Sequence, residues 1–416
     1  MNVNEVVPKN YWKLVVFTFC MGWAFIWIYR SMLSPIFPEI QGTVGPQTNA
    51  AMGLIASCYF FGYAALQIPS GFLVDRFGQK KVLIPGFILF ALGVVSIGFA
   101  SSIAAIYVGA VAAGVGCGSY YGAAFSMTAQ NVPAEKKGIA TAIVNSGSAL
   151  GMIIGMNASG VLVKTLGLPW QTMTFVSASL IVFLVLWFAF ALRPTGRPAA
   201  KVPETGAAPT VAAPETAAKG KALLTPALFS CYILYFTTCY AYYMIVTWLP
   251  RFLEAERGIS GGFVGLVVSM IAVTAVPGAL FFAARSDRHR DRKNRIILFL
   301  EVVAFALVAV SMLVPNALSL AVVLLLYGFL GKMAVDPVLI SYVTDRAGKG
   351  RLGSTLGVFN FFGMSSSVVA PALTGVIIDR TGSGVWGFYL GAALLLLGTI
   401  LFAMFNFRRE KSAVAA

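Results

Sequence analysis

The stretch IAAIYVGAVAAGVGCGSYYGAAFSMT, residues 103–128, carries no charged side chain over twenty-six positions. As a helix rising about 1.5 Å per residue it outreaches the roughly 30 Å of a bilayer's hydrocarbon core. It lacks the short alternating pattern of a transmembrane strand. Comparable runs recur near 14–36, 50–74, 82–100, 139–163, 169–192, 227–250, 260–284, 296–313, 317–343, 354–378 and 385–407. The reading is an all-α membrane protein of twelve transmembrane helices. Composition agrees: with 58% hydrophobic and 11% charged residues, the apolar excess could not be hidden inside one water-soluble core and has to face lipid.

A net charge of +15 raises the question of nucleic acid, and the distribution of the charges answers it. With the amino terminus inside, 24 Lys and Arg fall on the tails and loops of that side, against four outside: Lys164, Arg251, Arg257 and Arg380. This asymmetry is the positive-inside pattern. It predicts a multi-pass protein of the bacterial inner membrane with both termini cytoplasmic, and it reads the basic run from Arg285 to Arg295 as a topology anchor. No small-residue cleavage site follows the first apolar run before Arg30 and Pro35, so that run reads as a retained helix. Cys20, Cys58, Cys117, Cys231 and Cys239 lack metal-ligand or redox spacing, and the single histidine, His289, lies in a loop. No nucleotide-binding loop, metal cluster or nucleophile–base pair appears. The chain is expected to be no enzyme and to use no cofactor or metal, so any pumping draws on ion gradients.

The one long interruption, residues 193–226, is rich in Ala, Pro and Thr and reads as a flexible cytoplasmic linker. The flanking parts, 1–192 and 227–416, align at a constant offset of 215. Pro35 falls on Pro250, Gly116 on Gly331, Gly138 on Gly353, Asn145 on Asn360, Gly160 on Gly375 and Gly167 on Gly382. The pattern is an internal duplication of six helices. Two such bundles can rock about a site between them.

The segment Gly71-Phe72-Leu73-Val74-Asp75-Arg76-Phe77-Gly78-Gln79-Lys80-Lys81 resembles the G-x-L-x-D-R-x-G-x-K/R-K/R signature of the major facilitator superfamily, with a degenerate copy from Arg285 to Arg292. The resemblance covers nearly the whole chain. It implies two pseudo-symmetric six-helix bundles, a monomer in lipid, and a gating role for Gly71, Asp75, Arg76, Gly78, Asp287 and Arg288. In addition, Arg30 to Pro38 resembles the first-helix segment of the anion:cation symporter and organophosphate antiporter branches, where an arginine holds the anionic group. Tyr242 stands where the phosphate antiporters, aligned through Trp248 and Pro250, carry a second arginine. That departure favours a carboxylate over a phosphate ester.

Charges inside spans are expensive and are normally turned inward and paired. Arg30, Glu301, Lys332 and Asp336 are the candidates. Glu301, six residues past Arg295, is expected near the helix end, paired with the basic loop. Lys332 and Asp336 stand at i,i+4 spacing and should meet. The family's central helices one, four, seven and ten would bring Arg30, Lys332 and Asp336 to one cavity, completed by Tyr120, Tyr121, Tyr242, Asn145 and Asn360. Two positive charges against one negative favour an anion. Arg30 could grip a carboxylate through its planar fork, and protonation of Asp336 would release Lys332 to bind substrate. The leading expectation is uptake of a small organic anion coupled to protons. Export or exchange of a metabolite or drug, and a non-transporting membrane sensor, remain open.

Overall fold

The computed structural model describes residues 10–133, 136–192, 225–259, 262–314, 316–347 and 352–413. The expected linker lies, except for its last two residues, outside them. The described residues form fifteen α-helices and no strand: α1 Tyr11–Met32, α2 Phe37–Val44, α3 Asn49–Phe77, α4 Gln79–Gly98, α5 Ile103–Gly118, α6 Tyr120–Asn131, α7 Lys137–Ser159, α8 Gln171–Ala191, α9 Pro226–Ala255, α10 Gly262–Arg288, α11 Lys293–Ser311, α12 Ala317–Leu330, α13 Lys332–Arg346, α14 Leu352–Thr381 and α15 Val385–Ala413. Twelve segments are long and apolar enough to cross a membrane, with α1–α2, α5–α6 and α12–α13 each counting as one. An even number of crossings brings residues 10 and 413 to the same end, called here the terminal end, and leaves a far end opposite.

Inside a bilayer the backbone has to bond to itself, which the helices do, and their starts are finished by side chains. Thr48, Ser102, Thr225 and Asn316 accept the backbone N–H of Ala51, Ala105, Leu228 and Ser319. Large apolar residues such as Phe183, Leu186 and Phe190 on α8 stay exposed, as a lipid-facing helix requires. By contrast α9 is enclosed: 83% of its most apolar window is buried, against 39% for α8, α11 and α15.

Packing repeats between the halves. In the first, α1 packs on α7, α3 on α5 and α4 on α8; in the second, α9 packs on α14, α10 on α12 and α11 on α15. The halves meet where α3 lies along α14 and α7 along α10. Close approach depends on glycines. A Cβ at Gly114 of α5 would come within 2.0 Å of the Tyr59 carbonyl oxygen, so the missing side chain lets α3 settle there and fixes the height of its aromatic face.

Candidate functional site

Arg30 sits in the last turn of α1, near the middle of the continuous Tyr11–Val44 span. A guanidinium that has left water needs π faces, acceptors or an anion to offset the loss. Rings surround this one. Its central carbon lies 4.6 Å from the ring centroid of Tyr63, 5.2 Å from Phe60, 5.3 Å from Trp27 and Tyr59, and 5.5 Å from Trp23. Nε donates to the Tyr59 hydroxyl at 2.9 Å, whereas Nη2 is buried without an acceptor. No carboxylate among the described residues pairs with it. Arg30 is a caged cation with a donor to spare.

Lys332 owes its place to a break. α12 ends at Leu330, Gly331 leaves helical geometry, and α13 begins at Lys332. The first half is broken in the corresponding span at Ser119, between α5 and α6. Lys332 is buried, and its Nζ donates to Asp336 Oδ2 at 2.5 Å, as the i,i+4 spacing predicts. Asp336 Oδ1 is buried with no partner. The ammonium also stands 5.4 Å from the Tyr242 ring and 5.8 Å from that of Tyr235.

The two cages share a wall. Trp27, against Arg30, meets Tyr242, against Lys332, edge-on at 6.3 Å, and Phe60 meets Tyr243 at 4.8 Å. Tyr242 and Tyr243 themselves pack at 5.6 Å. Two cations from opposite halves therefore converge on one aromatic partition in the middle of the bundle. The arrangement has hydrogen-bond donors to offer an anion and no nucleophile aligned with a base.

A family model described as the Major Facilitator Superfamily matches residues 15–371. The chain belongs to the major facilitator superfamily. A second model, described as vacuole effluxer Atg22 like, matches only residues 356–415. Among curated proteins, a probable sulfoacetate transporter of Cupriavidus necator is 27% identical over 94% of this chain and 93% of its own. A hexuronate transporter of Bacillus subtilis is 26% identical over 95% and 93%. A probable galactarate/D-glucarate transporter of the same species is 28% identical over 85% and 83%. Among solved structures, a bacterial homologue of the human lysosomal transporter Spinster superposes with a TM-score of 0.72 over 96% of both chains at 15% identity. This facilitator is therefore a multi-pass membrane transport protein.

Within the facilitator fold the other expected site residues divide. Tyr121 packs edge-on against Trp23 at 6.3 Å, a ring that also faces Arg30, so it borders the Arg30 cage. Tyr120 does not. It is fully buried inside the first half, its ring against Phe19, Trp23 and Phe87 and its hydroxyl donating to the Phe19 carbonyl. Successive residues on a helix point about 100° apart, so of two adjacent tyrosines one faced the site and the other the bundle interior. Asn360 is spent on the junction between halves, donating to Gln67 Oε1 at 3.1 Å, while its counterpart Asn145 is exposed on α7. The pair shares a register and not a task.

Of the expected gating residues, Gly78 has φ +86° and ends α3, its N–H donating to the Val74 carbonyl at 2.8 Å. Gly71 passes close to Gly122 of α6. Arg76, Asp287 and Arg288 are exposed at the terminal end, and among the described residues none of the three makes an ion pair. The side chain of Asp75 lies outside the described residues.

Glu301 corrects an expectation. It is fully buried, pairs with no basic loop residue, and places Oε1 2.5 Å from the Thr238 hydroxyl on α9, with Oε2 unpartnered. The distance from Arg295 was right, but the helix turns this face toward α9 and not along the loop. The basic residue at that end that is buried is Lys293, which donates to Ser341 at 2.7 Å and Asp345 at 2.6 Å.

Two groups were missed. One is the α3 half of the Arg30 cage, Tyr59, Phe60 and Tyr63, legible in retrospect as aromatics at i, i+1 and i+4. The other closes the far end between the halves. Asp379 of α14 accepts the N–H of Asn49 at 2.7 Å and of Ala50 at 2.8 Å at the start of α3, and Lys164 pairs with Glu254 of α9. Glu39 lies 3.6 Å from the same lysine. The signal was present: Lys164 is one of few positive charges on a side that also carries these carboxylates.

Proposed function

We propose that this facilitator is a secondary active transporter that carries a small organic anion, a carboxylate, across the bacterial inner membrane with both termini in the cytoplasm. The observation that carries the reading is the pair of caged cations, Arg30 and Lys332, on either side of one aromatic partition, with Nη2 of Arg30 buried and unpaired. An incoming carboxylate would complete the guanidinium's hydrogen bonds and compete with Asp336 for Lys332. Tyr121 and Tyr242 supply hydroxyls for the rest of the molecule. The relatives' printed cargoes, sulfoacetate, hexuronate and galactarate or glucarate, are all small organic acids, which supports the same class.

Transport works by alternating access between the two bundles, 1–192 and 227–416, joined by the 193–226 linker, in a single chain acting as a monomer. The contacts that join the halves at the far end fit a state open toward the terminal end, and the Gly71–Lys81 segment with Asp75, Arg76, Asp287 and Arg288 is the latch of the alternate state. Coupling is proton symport. A proton on Asp336 releases Lys332, so anion binding and proton binding favour each other.

Reconstituted protein in proteoliposomes, given labelled mono- and dicarboxylates with and without a pH gradient that is acidic outside and so drives protons inward, tests this. Uptake should require the gradient for accumulation and fall at least tenfold, about 1.4 kcal/mol or more, in Arg30→Ala and in Lys332→Ala. Uptake untouched by both substitutions rejects the site, and ligand binding without flux would favour a sensor.

A further inference from the structure

Glu301 is the buried carboxyl that the scheme above leaves without work. Its surroundings fix its proton by counting. The Thr238 oxygen lies 2.7 Å from the Leu234 carbonyl oxygen and 2.5 Å from Glu301 Oε1, and both are acceptors if Glu301 is ionised. A hydroxyl has one hydrogen and cannot serve two acceptors at such distances. With a proton on Oε1 the geometry closes: Thr238 donates back to Leu234, and the carboxylic acid donates to Thr238. Oε2, sealed and without a donor, is tolerable as the carbonyl oxygen of a neutral acid and costly as half of an anion.

Among the described residues no free cation stands there to hold an anion. α9 presents Thr238 and Cys239, α12 presents Tyr327, and α13 presents Asp336 with Lys332, which is already bound to that aspartate. α15 brings no charged side chain to it among the described residues, and the turn Arg290–Arg292 before α11 is exposed at the terminal end.

We infer that Glu301 is a second proton-binding site of the transport cycle, neutral in this conformation and able to hold a proton apart from the Lys332–Asp336 pair. The inference rests on the transport reading above and adds a carboxyl to it. Asp336 answers to substrate through Lys332, and Glu301 keeps its proton against the Thr238 oxygen. The symported proton then has two places to reside, one on α13 and one on α11.

Infrared spectroscopy of the reconstituted protein at neutral pH should show the carbonyl band of a buried protonated carboxylic acid. The band should vanish in Glu301→Gln, persist in Asp336→Asn and shift in Thr238→Val, which removes the acid's acceptor. In transport, Glu301→Gln should lose accumulation driven by a pH gradient by a larger factor than it loses counterflow exchange. A wild-type spectrum without the band, or one in which Glu301→Gln keeps it, overturns the inference. So does an equal loss of accumulation and exchange. Should Glu301→Gln fail to fold, the wild-type band and its shift in Thr238→Val still decide. Arg30→Ala uptake equal to wild type with the band present would sink the anion reading alone. Arg30-dependent uptake without the band would sink this inference alone.

Discussion

Arg30 shows how one side chain can be charged, enclosed by rings and still available. Its rings replace water's contribution without using its donors, because cation–π attraction acts on the face of the guanidinium while hydrogen bonds act at its edge. Lysine at this position would keep the charge and lose both the fork and the flat stacking surface. Arg30→Lys should therefore weaken binding of a carboxylate by about 10–100-fold, the equivalent of roughly 1.5–3 kcal/mol for a charge-assisted bond, with the fold retained. Calorimetric or fluorescence titration of the purified protein reads this directly, and an unchanged Kd would remove Arg30 from the site. Tyr59→Phe, which takes away the acceptor of Nε and keeps the ring, should have a smaller effect. The charged residues were legible from sequence because hydrocarbon makes each one conspicuous. Rotation about a helix axis was not, since a helix apolar all round carries no amphipathic phase to orient it. That is why Tyr120 and Tyr121 could not be told apart, and why Glu301 was set beside a loop when it faces α9.

At the scale of elements, the runs of apolar sequence located all the spans, and the interruptions within them stayed hidden. The expected helix at 317–343 is broken at Gly331, and the one at 103–128 at Ser119. Neither break is marked by proline, the residue that would have announced it, and Pro69, Pro85, Pro250, Pro277 and Pro371 all lie inside continuous helices. The break matters because it aims Lys332. A Cβ at Gly331 would fall 2.5 Å from the Tyr327 carbonyl oxygen and 2.9 Å from its ring, a backbone contact that cannot swing away. Gly331→Ala should push α12 and α13 apart, cost about 1–3 kcal/mol of stability as overpacking does, and displace Lys332 from the Tyr242 wall. Thermal unfolding in detergent checks the first effect and substrate titration the second. A variant as stable as wild type with full affinity would show that the break is not what positions the lysine. The duplication at offset 215 was legible and places Gly116 and Gly331 in one register, each close to its half's break.

For the whole molecule, the junction of the halves decides which way the centre can open. The far end is held by two dissimilar contacts. Asp379 finishes the start of α3 with two backbone N–H bonds, where the helix dipole favours a negative charge, and Lys164 joins Glu254 beside Glu39. Both cross from one half to the other, and both use residues that the expected substrate site does not. Asp379→Asn keeps an acceptor and loses the charge, which should weaken this contact by about 1–2 kcal/mol. Lys164→Ala acts more strongly, since it leaves Glu254 and Glu39 near each other without their shared cation. If the halves rock, either change shifts the population toward a state open at the far end, about tenfold for each 1.4 kcal/mol. Hydrogen exchange should rise at the amides of Asn49 and Ala50 and across residues 376–388. A cysteine placed at Ser34, which is buried against the Val246 carbonyl of the other half, in a background lacking the five native thiols should alkylate faster. Exchange and alkylation equal to wild type in both variants would mean that these contacts do not hold the far end shut. Faster alkylation that substrate then slows would instead tie the far-end contacts to the Arg30–Lys332 partition, because a ligand shifts only an equilibrium between states that it binds unequally.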